Sequence, residues 1–167
     1  MKTLTNHELR ELLNKNWMTH DGMWFRHCLE AVGIEQTNRI NRAAIRSLAP
    51  LEARRMLEAL GLERPEDFSG LKAVTVGFFG LVGADFMRIR YDFPREGVIR
   101  FTWGQGQCFA YEGMKRLGVA DRYECGIFER VGGWFASLGL AFTLYPETQG
   151  CLMHEQGRCV RELRFSF

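Results

Sequence analysis

Four cysteines in the second half of the chain, Cys108, Cys125, Cys151 and Cys159, are the residues whose type points most directly to chemistry. Thiolates bind zinc or iron–sulfur clusters, and four of them complete a tetrahedral site. Their intervals hold 16, 25 and 7 residues, so no pair has the short knuckle spacing that places two ligands from one turn. Convergence must then come from the fold. Each cysteine falls at the edge of a predicted element: Cys108 and Cys125 at helix starts, Cys151 in a loop or strand start, Cys159 at a strand start. Two readings compete with metal ligation. A free cysteine packs as a small buried hydrophobe. Alternatively, a helix N-terminus lowers a thiol's pKa and makes Cys108 or Cys125 a nucleophile.

A second group is His20, Trp24 and His27, spaced i, i+4 and i+7 along one helical stripe. Asp21 beside His20 would fix the ring's tautomer and raise its basicity, as in a general base or a metal ligand. The competing reading makes Asp21 a helix N-cap and leaves His20 in solvent. His154 could join the cysteines. A third group, Trp103, Tyr111, Tyr123, Trp134 and Phe135, gathers around a sheet-to-helix junction, where aromatic side chains form core and can also wall a ligand cavity. No histidine pair has metallopeptidase spacing, and no phosphate-binding glycine loop or nucleophile-elbow serine occurs.

The elements that must position these groups change character along the chain. Residues 1–62 read as four helices. Thr5 with Glu8 forms a capping box. A second helix runs from about Asp21 to Val32 and closes at Gly33, a third stops before Pro50, and a fourth runs from Leu51 to Leu60 with Gly61 as its cap. The arginines at 39, 42, 46, 54 and 55 read as a solvated outer face.

Residues 65–167 read as an α+β part of the same single domain. Leu71–Ala84 is an apolar helix. Met87 to Phe93 alternates as a strand, Pro94–Gly97 turns, and Ile99, Phe101 and Trp103 return. Helices follow over Cys108–Leu117 and Ile127–Leu138, then strands carrying Leu140, Phe142 and Leu144, and finally Cys159, Arg161, Leu163, Phe165 and Phe167. The fold class is α+β: N-terminal helices ahead of a ββααββ unit whose antiparallel sheet carries helices on one face. Gly132 and Gly133 each cost about 1 kcal/mol relative to alanine inside a helix. Close approach of another backbone or a ligand should offset that cost, placing Trp134 and Phe135 at a cavity or a subunit contact.

Composition narrows the classes. With 167 residues, 46% hydrophobic and 25% charged, the chain can build a core without disulfides or structural metal, and disorder is excluded. Its 22 basic and 20 acidic residues are too nearly balanced for a nucleic-acid footprint. No run is long and apolar enough for a membrane span, and the first residues lack the apolar segment of a secretory signal. Five cysteines without a compact framework suit a reducing compartment, so a cytoplasmic location is expected.

HDGMWF at His20–Phe25, the following GIEQTNRINR, the order Cys108, Cys125, Cys151, and GRCVREL around Cys159 resemble a group of uncharacterised bacterial cytosolic proteins. The second half also resembles the L-2-amino-thiazoline-4-carboxylic acid hydrolase-like family and, more distantly, the 4-vinyl reductase domain. That resemblance implies a hairpin, two helices and returning strands around a small-molecule pocket near Cys108, Cys125 and Cys159. The hydrolase-like pattern places an acidic residue soon after the middle cysteine, where this chain has Phe128 followed by Glu129.

Three functions follow as expectations. The first is a small-molecule-binding protein with its pocket between the N-terminal helices and the sheet, lined by Trp24, Trp103, Tyr111, Trp134 and Phe135. The second is a zinc or iron–sulfur protein using Cys108, Cys125, Cys151 and Cys159. The third, following the resemblance, is a cysteine-dependent hydrolase of a small cyclic or amide substrate, with Cys108 as nucleophile, His20 or His27 as base and Glu129 as acid or orienting group. The expected partners are a small-molecule ligand and a second copy in a homodimer, with neither nucleic acid nor membrane.

Overall fold

Thr5 starts the first helix as its side chain foretells. The computed structural model describes residues 1–167. In it the Glu8 amide donates to Thr5 Oγ1 at 3.2 Å, and the Glu8 carboxylate accepts from the Thr5 amide at 2.9 Å. Helix α1 then runs over Asn6–Leu60 and closes at Gly61, whose φ of 61° is left-handed. Four helices were expected here, and the structure has one helical segment bent once. Gly33, at φ 76° and ψ 172°, is its single non-helical residue, a conformation that suits glycine.

The other expected breaks are absorbed. Asp21 lies inside the helix and caps nothing. Pro50 removes one backbone bond but is exposed, so the freed carbonyl can meet water, while Ala49 and Ala53 beside it on the helix are fully buried. Tertiary packing holds the helix through the proline. Residues on both sides of Gly33, Trp17 to Cys28 and Thr37 to Leu48, line a single groove, so the two arms form a helical hairpin.

Helix α2, Phe68–Val82, is capped by Asp67, whose carboxylate accepts from the Gly70 amide at 2.7 Å. The strand expected over Met87–Phe93 shortens to β1, Arg90–Asp92, because Asp85–Met87 forms a 3-10 turn that ends on Arg88. Strand β2, Val98–Trp103, follows the anticipated turn. Helices α3, Phe109–Arg116, and α4, Gly126–Ser137, lead to β3, Phe142–Tyr145. A short helix α5, Leu152–Gln156, occupies what reads as loop and precedes β4, Cys159–Phe165.

The sheet is antiparallel in the order β1-β2-β4-β3. Its buried face carries Ile99, Phe101 and Trp103 from β2 and Cys159, Arg161, Leu163 and Phe165 from β4, while Arg100, Thr102, Val160, Glu162 and Arg164 alternate onto the more open face. This is an α+β domain with one sheet face covered by helices. The pairing sets Trp103 opposite Cys159 and Phe101 opposite Arg161.

Helix α4 lies between the sheet and the second arm of α1. A β-carbon at Gly133 would come within 2.7 Å of Ala49 Cβ, and one at Gly126 within 2.8 Å of Ile45 Cδ1. The glycines therefore allow close helix–helix approach, one of the roles expected for Gly133. Gly132 faces Phe142 instead. Trp134 and Phe135 are buried core. Trp134 meets Phe78 and Phe79 edge-on, and Phe135 meets Phe165 at 5.1 Å between ring centroids.

Candidate functional site

The fold brings together the four cysteines that the sequence scatters. Cys108, Cys125 and Cys151 occupy the N-cap positions of α3, α4 and α5, and Cys159 opens β4. All four line one enclosed cavity of about 10 Å³, with Trp103, Tyr111, Tyr123, Phe128 and Arg161 among its other walls. Room for about one water or one ion is the most that volume offers. A small organic ligand does not fit there. No three of the sulfurs lie within 4.8 Å of one another.

Burial governs these thiols. Desolvation pushes Cys108 up to about 12 and also raises Cys125, Cys151 and Cys159. First-turn amides of each helix pull the other way: Tyr111 and Ala110 for Cys108, Phe128 and Ile127 for Cys125, His154 and Met153 for Cys151. None of them closes a side-chain capping bond. The expectation of an activated thiolate at Cys108 is corrected here, because burial outweighs the helix N-terminus.

Arg161 is the group that sequence reasoning passed over, reading it only as one more residue on a strand face. It is 2% exposed. Its Nη2 donates to the carbonyls of Pro146 at 2.9 Å and Thr148 at 2.7 Å, and its guanidinium lies 4.8 Å from the Phe128 ring centroid. No carboxylate pairs with it, and its buried Nε has no partner. A buried unpaired cation is costly unless negative charge faces it. Burial works against the arginine's charge, while Cys125 and Cys159, ahead of Glu155, act to hold it. An arginine in register with the cysteine face of a strand was the available signal.

The remaining candidates lie elsewhere. His20 and His27 stand on the exposed face of α1, beside Asp21 at 3.7 Å and Glu30 at 3.1 Å. Neither lines the cysteine cavity. Glu129 accepts from Arg42 at 2.9 Å and Arg46 at 2.9 Å and ties α4 to α1. Cys108 therefore has no base beside it, and the nucleophile, base and acid of the hydrolase expectation occupy three separate places. Trp24 lines the groove between the arms of α1, with Trp17, Asp21 and Cys28, in a space of about 290 Å³. Trp103 and Tyr111 wall the cysteine cavity. The expected ligand-lining residues thus divide among a groove, a small cavity and, for Trp134 and Phe135, the core. No helix is long and apolar enough to cross a membrane.

No curated protein matches the chain. Over residues 3–84, which span α1 and α2 and stop short of every cysteine in the cavity, the chain is similar to a family of unknown function (DUF6125).

Proposed function

We propose that the second half of the chain holds a metal ion, of the zinc class, through Cys108, Cys125, Cys151 and Cys159. The observation that carries the reading is the meeting of four thiols and one carboxylate-free buried guanidinium on a cavity of about 10 Å³. Four soft donors suit zinc, and the cavity suits a single ion better than a cluster. A divalent cation with four thiolates carries two negative charges. Arg161 supplies one positive charge, and the N-termini of α3 and α4 supply about half a charge each. The site is therefore close to neutral when thiolates form. Its orphaned Nε and the uncapped first-turn amides then gain the negative neighbours they lack.

Ligation would require the thiols to draw together, since no three sulfurs lie within 4.8 Å of one another. It also ties α3, α4, α5 and β4 to one point, which supplies folding free energy as metal sites do. Zinc would serve here as a structural or sensing ion, since the cavity leaves no room for a substrate.

The test is metal analysis of protein purified anaerobically without chelator. The expected result is about one zinc per chain, lost when Cys108 and Cys159 are both changed to serine, with a fall in melting temperature. Protein without stoichiometric zinc or iron, whose thiols titrate freely on unfolding, would sink the reading.

A further inference from the structure

A second site shares no lining residue with the cysteine cavity. Where the start of α1, the end of α2 and β1 meet, an open pocket of about 570 Å³ is lined by Arg10, Arg88 and Arg90, with Phe79 and Tyr91 among its apolar wall. The two rings lie 5.0 Å apart between centroids, tilted by 33°. They offer a nearly continuous aromatic surface beside three guanidinium groups.

None of the three arginines makes an ion pair. Asp85, the acidic residue of the pocket lining, is already engaged: its carboxylate faces His7 at 3.4 Å, and its amide donates to Glu11 at 2.8 Å. Arg10 is held in place through Nη1, which donates to the Gly80 carbonyl at 2.6 Å, while its Nε is buried without a partner. Arg88 adds an independent mark. It has a φ of 50° and is the one non-glycine residue of the chain with positive φ. The turn geometry there favours glycine, and a long side chain in its place is strained. Strain of this kind collects where a side chain has work to do.

We propose that this pocket binds a small organic anion, with a carboxylate or phosphate head among Arg10, Arg88 and Arg90 and a flat apolar body on Phe79 and Tyr91. Guanidinium groups match both heads through paired N–H donors. An aromatic wall with a few convergent polar groups is the general form of a ligand site. The proposal stands apart from the metal reading, because it uses neither the cysteines nor Arg161.

The experiment is calorimetric titration of the full-length protein with 2-naphthoate, 2-naphthyl phosphate and the neutral 2-naphthamide. Both anions should bind at least about tenfold more tightly than the amide, and more weakly at high salt. The stronger of the two identifies the head group. The exposed pair Arg88→Gln with Arg90→Gln should weaken the anions by about tenfold or more and leave the amide and the melting curve unchanged. Arg88→Gly should raise the melting temperature, by relieving the left-handed residue, and still weaken the anions. Equal binding of naphthoate and naphthamide, or anion binding that survives the loss of both exposed arginines in folded protein, overturns the proposal.

Discussion

The two arms of α1 are built from the same kind of sequence and meet very different fates. Before Gly33, the helix buries Asn14 and Phe25 and leaves Leu9, Leu12, Leu13, Met23, Trp24 and Val32 exposed. After it, the helix buries Ile34, Thr37, Asn38, Ala49, Ala53 and Met56. The larger apolar residues are thus on the arm that is less buried. Small size and charge placement decide the docking. Ala49 and Ala53 let α4 approach at Gly133, and a polar frame then locks the pair. Glu52 accepts from Trp134 Nε1 at 2.7 Å and from both Nε and Nη2 of Arg130. Asn38 donates to the Arg122 carbonyl at 2.8 Å and accepts from the Glu124 amide. Helix docking is a matter of shape and satisfied polar groups more than of hydrophobicity alone.

The largest blow to the second arm should come from Glu52→Ala. It leaves the largely buried Arg130 guanidinium and the buried Trp134 indole N–H without their acceptor. Breaking such a pair from one side costs about 3 kcal/mol. That is a fall of about 10 °C in melting temperature for a domain of this size. Glu52→Gln, which keeps one acceptor, should cost clearly less. Urea unfolding measures both, and a loss below about 1 kcal/mol for the alanine variant would show that the frame does not hold the arm.

Next in size is Gly133→Ala. Helix propensity favours alanine by about 1 kcal/mol, but its β-carbon would stand 2.7 Å from Ala49 Cβ, an atom that cannot move without its backbone. Overpacking of this kind costs about 1–3 kcal/mol, so a net loss of about 1 kcal/mol is expected. The comparison sharpens in the Ala49→Gly background, where the obstructing atom is gone and the same substitution should become stabilising. An unchanged sign in the two backgrounds would mean that the contact does not set the distance between α1 and α4.

These contacts show where sequence reading succeeds and where it stops. The capping box at Thr5, the cap at Gly61, the alternation of Ile99, Phe101 and Trp103 and the glycines of α4 are local signals, and each marks an observed feature. Gly33 reads as a helix end, but its positive φ is equally compatible with a bend between two helices, and tertiary packing chose the bend. Pro50 misled for the same reason: its local cost is real and was outweighed by the burial of Ala49 and Ala53. The cysteines were picked out by residue type alone, because their convergence depends on β2–β4 register and on three helix starts distant in sequence. The arginines at 88, 90 and 161 enter the sequence only as members of strand alternation, and Arg10 carries no signal. Their meaning lies in which carboxylates fail to reach them, a property of the folded chain.

The smallest effect is expected on the first arm, and it tests whether that arm is free. Leu13 is 59% exposed and Leu12 47%, so neither loses much contact on replacement by glutamine, which has similar helix propensity. Surface substitutions of this kind stay within about 0.5 kcal/mol. Leu12→Gln with Leu13→Gln should therefore leave urea unfolding almost unchanged, in contrast to Glu52→Ala on the other side of Gly33. The measurement gains force when repeated at several protein concentrations. An arm covered by a second copy would gain stability with concentration by mass action, and the paired substitution would remove that dependence. A melting temperature independent of concentration in both proteins, with one elution volume by size exclusion, would mean that the leucines face water and that the second arm alone fixes the hairpin to the body of the domain.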